Sequence, residues 1–231
     1  MKKIKPNTIR YVYEAEAITG GLSKPSKMPG HAYNLPPQRC GVGSKFHEKK
    51  GSICSFCYGW DRGRYVFPNV KAAMERRYQT LRHPQWVAAM TLLVKRDDWF
   101  RWHDVGDVQD VEHLDNIVQV ARNTPDTRHW LPTREYKIVR TWVEQGNSFP
   151  DNLCVRFSAM FFDAPAPVEL AKRWGATASA AGEPQGDTFV CPAPKQDNEC
   201  GKCRACWLKP SVTYKKHRHD THKQNNDRRV Q

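Results

Sequence analysis

Several things are scarce in this sequence, and each scarcity excludes a class of protein. No stretch approaches the roughly 18 consecutive apolar residues that a membrane span requires. The N-terminus, MKKIKPNTIRYVYEAEA, is basic but has no apolar h-region, so no secretory signal is expected. The G-x4-G-K-[ST] pattern of a Walker loop is missing. Acidic residues are few, with 24 Asp and Glu against 37 Lys and Arg, leaving a net charge of +13. An excess of that size calls for a polyanionic partner, because fixed cations attract phosphates and release their counterions; a nucleic acid is the expected one.

What is present fits a reducing, cytoplasmic compartment. There, eight cysteines point to metal rather than to disulfides. The apolar fraction is low at 39%, but 8 Trp, 9 Phe and 8 Tyr give large buried area per residue. At 231 residues the chain reads as one domain with a core of useful size.

Residues 1–60 are rich in loops and hold seven of the 14 glycines. From Phe67 the texture changes. Helices are expected over 70–83 and 84–96, the second opening on Pro84. Then strands and helices alternate: strands over 99–105, 128–133, 153–161, 176–180 and 188–192, and helices over 111–123, 134–146 and 167–175. A strand every 23 to 29 residues is the period of βα units with a parallel sheet. The expected fold is α/β, a small or incomplete (β/α) barrel with one or more strands hidden in the first 60 residues; an open α/β sheet is the alternative. Residues 1–210 form the expected catalytic domain. Residues 211–231, with almost no apolar side chain after Tyr214, form an expected solvated basic tail.

Cys191, Cys200, Cys203 and Cys206 make a C-x8-C-x2-C-x2-C pattern within the segment 191–207. Four thiolates at this spacing suit a tetrahedral Zn2+ ion, with an iron–sulfur cluster as the alternative; His217 or His219 could replace one cysteine. A second, weaker set is Cys40, Cys54 and Cys57, with His47 between them. Three cysteines in glycine-rich loops could hold an iron–sulfur cluster with one open position, or be buried thiols. Cys154 reads as core.

In a parallel α/β fold, ligands bind beyond the carboxyl ends of the strands. Asp104 and Asp107 fall there in HDVGD, and Asp163 follows the strand that begins at 153. All three are candidates for general acid, base or nucleophile. Arg134, Arg156 and Ser158 are candidate substrate contacts, as are Tyr58 and Trp60 for stacking on a base. Lys24 and Lys27 are spaced like a phosphate-contacting loop or an ordinary basic turn.

The segments GLSKPSKMPG, GSICSFCYG, FPNVKAAMERR, FRWHDVGDV, HWLPTREYKIV, VRFSAM and CPAPKQDNECGKCRACW together resemble the phage gene product 88 family. More distantly, a (β/α) barrel with a late cysteine-rich zinc site is similar to the tRNA-guanine transglycosylase superfamily, whose phage DNA branch exchanges guanine for a 7-deazaguanine base. That resemblance implies a DNA guanine transglycosylase, acting through a covalent aspartyl–sugar intermediate with a modified purine base as small substrate. The zinc motif differs from the C-x-C-x2-C of the tRNA enzymes, and no S-G-G-F-Q-like segment is present. The C-x2-C-Y at Cys54 also resembles radical-SAM-like iron–sulfur barrels, although their usual C-x3-C-x2-C is absent. A non-enzymatic zinc-containing DNA-binding protein is the third reading.

Overall fold

The computed structural model describes residues 9–216. In chain order the elements are α1 (Val12–Thr19), β1 (Ala32–Tyr33), α2 (Gly41–His47), α3 (Tyr58–Asp61), α4 (Pro68–Thr80), α5 (Trp86–Val94), β2 (Trp99–Trp102), α6 (Val111–Asn123), β3 (Arg128–Thr133), α7 (Tyr136–Glu144), β4 (Leu153–Ser158), α8 (Val168–Arg173), β5 (Thr177–Ala181), β6 (Phe189–Val190), α9 (Ala205–Leu208) and β7 (Ser211–Tyr214). The strands form one seven-stranded sheet in the order β1-β2-β3-β4-β5-β7-β6, and every neighbouring pair is parallel. The fold is therefore α/β with a parallel sheet, as the βα period implies. Among the described residues no ladder joins β1 to β6, so the barrel closure that the sequence raised is not seen.

Strand alternation sorts the side chains. Tyr33, Phe100, Trp102, Leu131, Val155, Phe157 and Ala178 are buried against Trp86, Met90, Leu114, Ile117, Val139 and Trp142 of the covering helices. α6 is set by local chemistry: Asp110 caps it by accepting the His113 N–H at 2.8 Å, and apolar residues then recur at helical spacing. α7 and α8 each stop before a glycine in the left-handed region, Gly146 and Gly175.

Four local differences have physical causes. β2 ends at Trp102 rather than continuing to residue 105, because His103 turns to φ 53°. The 84–96 helix starts two residues late, with Pro84 in the turn before it. α1, not foreseen in the loop-rich opening, forms because Ala15 packs against Ala89 and Leu93 of α5. Finally, the expected tail begins with a strand: β7 carries buried Val212 and Thr213 and lies between β5 and β6. The cysteine-rich segment is thus the crossover from β6 to β7, which ties it to the sheet. His217, His219 and the tail residues Arg218, Arg228 and Arg229 lie outside the described residues. Among the described residues no helix is long and apolar enough to cross a membrane.

Candidate active site at the carboxyl edge of the sheet

The HDVGD turn leaves β2 at the carboxyl edge. Gly106 has φ 92°, and a Cβ there would lie 2.7 Å from the Leu35 carbonyl oxygen, so only glycine fits. The turn carries Asp104 and Asp107 inward, and both are buried. Their environments differ. Asp104 accepts from the Tyr65 hydroxyl at 2.6 Å, Arg64 at 2.8 Å and Asn34 at 3.3 Å. Burial alone would raise its pKa; Arg101, the Tyr65 hydroxyl and Arg64 outweigh that and hold it below the ordinary carboxylate value. Its oxygens thus tie together the segments that carry Asn34, Arg64 and Tyr65.

Asp107 accepts from the Thr133 hydroxyl at 2.6 Å, the Val108 N–H at 2.8 Å and the Arg134 N–H at 2.9 Å. Burial first, then the nearby Glu135 carboxylate, pushes its pKa up to about 7, more than those three donors offset. A carboxyl held near neutrality is the kind of group that suits general acid–base chemistry. Glu135, which the sequence reading passed over, accepts the Val42 N–H at 2.6 Å at the start of α2. The helix that follows Cys40 is thereby docked beside Asp107.

Cys40, Cys54 and Cys57 come together at this same edge. A Cβ on Gly43 would stand 3.5 Å from the Cys40 sulfur and 3.8 Å from the Cys54 sulfur. Each thiol lies within electrostatic reach of the other two. Ile53 donates to the Met160 carbonyl at 2.9 Å, pinning the cysteine loop to the segment after β4. Burial raises all three thiols; Arg134 opposes this at Cys54 and Cys57, helped at Cys57 by the Gly59 and Trp60 N–H groups. Arg134 itself is anchored by donating to the Ala159 carbonyl at 3.0 Å. Trp60 is stacked on His47 at 4.0 Å, and His47 lies 3.0 Å from the Cys54 carbonyl, so both brace the loop.

The other candidates are distributed differently. Asp163, at φ 59°, accepts the Glu183 N–H at 2.9 Å and pairs with Lys216, joining the turn after β4 to the ends of β5 and β7. Its described partners thus lie on the β5 side, whereas those of Asp107 lie around β3. Arg156 is fully buried and donates to the carbonyls of Ala178, Cys206 and Lys209, clasping the cysteine-rich crossover onto the sheet. The Ser158 hydroxyl accepts from Ser179 at 3.3 Å. Lys24 and Lys27 have exposed side chains; the Lys27 carbonyl accepts the Cys200 N–H at 2.9 Å. Tyr58 donates to the Asp104 carbonyl at 2.7 Å.

Cys191, Cys200, Cys203 and Cys206 share one neighbourhood in the crossover, Cys191 being within electrostatic reach of the other three. Burial pushes the Cys206 thiol up to about 11, and its sulfur lies 3.3 Å from the Tyr214 hydroxyl. Among the described residues, however, no group of three or more His, Cys, Asp or Glu is drawn together as for a metal ion. Neither the zinc geometry expected at this segment nor a metal-binding arrangement of Cys40, Cys54 and Cys57 is therefore formed by the side chains as they stand.

Sequence reasoning missed Glu135, Tyr65, Arg64 and Arg101. For Arg101 the signal was available. It sits in an alternating strand, W-F-R-W, where a charged residue implies a partner or ligand. No curated protein and no solved structure matches the chain. Residues 7–209 match the family model Gene product 88, and the chain belongs to that phage family.

Proposed function

We propose that this protein is an iron–sulfur enzyme acting on a nucleic-acid substrate, with Cys40, Cys54 and Cys57 as the cluster ligands. The supporting observation is the convergence of three cysteines at the carboxyl edge of a parallel sheet, beside the titratable Asp107. Three thiols are suitable donor chemistry for such a group, but among the described residues their side chains are not drawn together as for a metal ion. A single tetrahedral ion with bonds of about 2.3 Å draws its sulfurs to about 3.8 Å apart, whereas a cluster accepts thiolates spread more widely. Arg134 and the Gly59 and Trp60 N–H groups stand where negative sulfur would form. Cys40, Cys54 and Cys57 would hold the cluster, which would supply one-electron chemistry. The chain's own residues then position Cys40 through Glu135 and exchange a proton at Asp107. The net charge of +13 supports a polyanionic substrate.

Anaerobic reconstitution with iron and sulfide tests the reading. The expected product is brown, with about four irons bound, and both Cys54→Ala and Cys57→Ala lose the colour. A second reading, the DNA guanine transglycosylase, is favoured by one observation: Asp107 titrates near 7 at the edge where a purine would be protonated. Colourless protein that exchanges labelled guanine into DNA, with Asp107→Asn inactive, would replace the first reading by the second.

A further inference from the structure

The sheet face turned away from the helices carries a set of buried donors that have no acceptor. Arg101, Trp130 and Arg156 occupy neighbouring strands on that face, Arg101 and Trp130 being register partners and Pro132 pairing with Arg156. The crossover that covers this face adds Arg204. Arg101 Nε, Trp130 Nε1, Arg156 Nε and Arg204 Nε are all buried without a hydrogen-bond partner. Native proteins satisfy most of their buried donors, because an unmade bond forfeits the hydration the group had in water. Four orphans belonging to one layer indicate acceptors that arrive from outside the chain.

Arg101 is the centre of this layer. Its guanidinium lies 4.3 Å above the Trp130 ring and is bonded to the Tyr58 hydroxyl and, weakly, to the Met28 sulfur at 3.8 Å, leaving Nε without a partner. No carboxylate among the described residues forms an ion pair with it. The nearest negative charge, Asp104, is already held by Tyr65, Arg64 and Asn34. Tyr58, Tyr65 and Tyr214 complete its surroundings. The layer is thus cationic and walled by aromatic rings, with one donor nitrogen left over on each of Arg101, Trp130, Arg156 and Arg204. It lies between the two cysteine sets, with Tyr58 adjoining Cys57 and Tyr214 touching Cys206.

We infer that Arg101 and Trp130 form a binding site for an oxyanion, a phosphate or carboxylate group of a small ligand, held by charge-assisted bonds on the inner face of the sheet. The inference does not depend on an iron–sulfur cluster at Cys40, Cys54 and Cys57. A four-thiolate metal centre at the crossover would attract the same arginines, so the test separates the two cases.

Inorganic phosphate and acetate are titrated calorimetrically into the full-length protein, with bound metal measured on the same samples. Saturable binding of one or both is expected, the preferred anion identifying the source of the oxyanion. Arg101→Gln should weaken it at least tenfold, Arg101→Lys should restore part of it, and Arg122→Gln, at the opposite edge of the sheet, should leave it unchanged. Trp130→Phe keeps the ring and removes one donor, so it should weaken binding several-fold even if Arg101→Gln fails to fold. Binding that persists in Cys54→Ala supports a site independent of the cluster ligands. Wild-type protein that binds neither anion overturns the inference. So does an Arg101→Gln variant that loses metal but binds the anion normally, which would mark Arg101 as charge compensation for the cysteines.

Discussion

The Glu135 carboxylate accepts the Val42 N–H at 2.6 Å, so the first turn of α7 holds the first turn of α2. This bond reaches across 93 residues and fixes the entry of the helix that starts beside Cys40. A charged acceptor on a backbone N–H contributes about 1.5–3 kcal/mol. Glu135→Ala should therefore lower stability by about that amount and release the Cys40 loop to proteolysis. Glu135→Gln, which keeps an acceptor oxygen, should cost less. Urea denaturation and limited proteolysis of the two variants check the order; equal losses would show that the hydrogen bond is not what holds the helix.

Asp107 gives a pH signature with a definite sign. Its folded pKa, about 7, lies above the ordinary carboxylate value, so the folded state holds the proton more tightly. Its unfavourable effect is absent below about pH 4, grows between about 4 and 7, and is complete above 7. The Asp107 contribution should fall as pH rises through that window, opposite in sign to the histidines below about 6.5, so it reads as the difference between the wild type and Asp107→Asn. The measurement is thermal unfolding from pH 5 to 8 for both proteins.

Three buried histidines act at the acid end. Burial lowers His103 to about 4 and His129 to about 3, and lowers His113 further below its ordinary value, with His103 and Arg82 adding to burial there. Below about pH 6.5 the unfolded chain takes up protons that the folded one refuses, so stability should drop steadily from 6.5 towards 4. His129→Gln should shift this acid limb to lower pH in a denaturation series. An unchanged limb would place the acid sensitivity elsewhere.

Arg156 is the clasp of the crossover. Removing its guanidinium leaves the Ala178, Cys206 and Lys209 carbonyls without their donor inside the protein. Arg156→Met should cost about 3 kcal/mol or more. It should also raise the reactivity of Cys200, Cys203 and Cys206 towards a thiol reagent, which counts exposed sulfurs directly.

The basic tail gives a salt prediction. Lys215, Lys216, Arg218, Arg228 and Arg229 are expected to contact phosphates, so deleting residues 215–231 should reduce DNA affinity and flatten its dependence on salt. A slope identical to that of the full chain would show that the tail makes no such contacts.

The sequence by itself determined the βα rhythm from residue 99 onward, because hydrophobic period, caps and glycine stops are local properties. α6 was legible to its end residues, since Asp110, the apolar stripe and the chain turn at Thr124 are all encoded within one segment. It also located Asp104, Asp107 and both cysteine sets, because spacing and strand ends are visible in one dimension. What it left undecided are the long-range choices. β1 and β7 are only two and four residues long, too short for a period, and exist because neighbouring strands offer them ladders. Which carboxylate titrates high and which low could not be read either. Asp104 and Asp107 are three residues apart, and their opposite pKa shifts come from Arg101, Tyr65 and Arg64 at one and Glu135 at the other. Only the tertiary structure places those groups, because burial and electrostatic reach depend on distance in space rather than on separation along the chain.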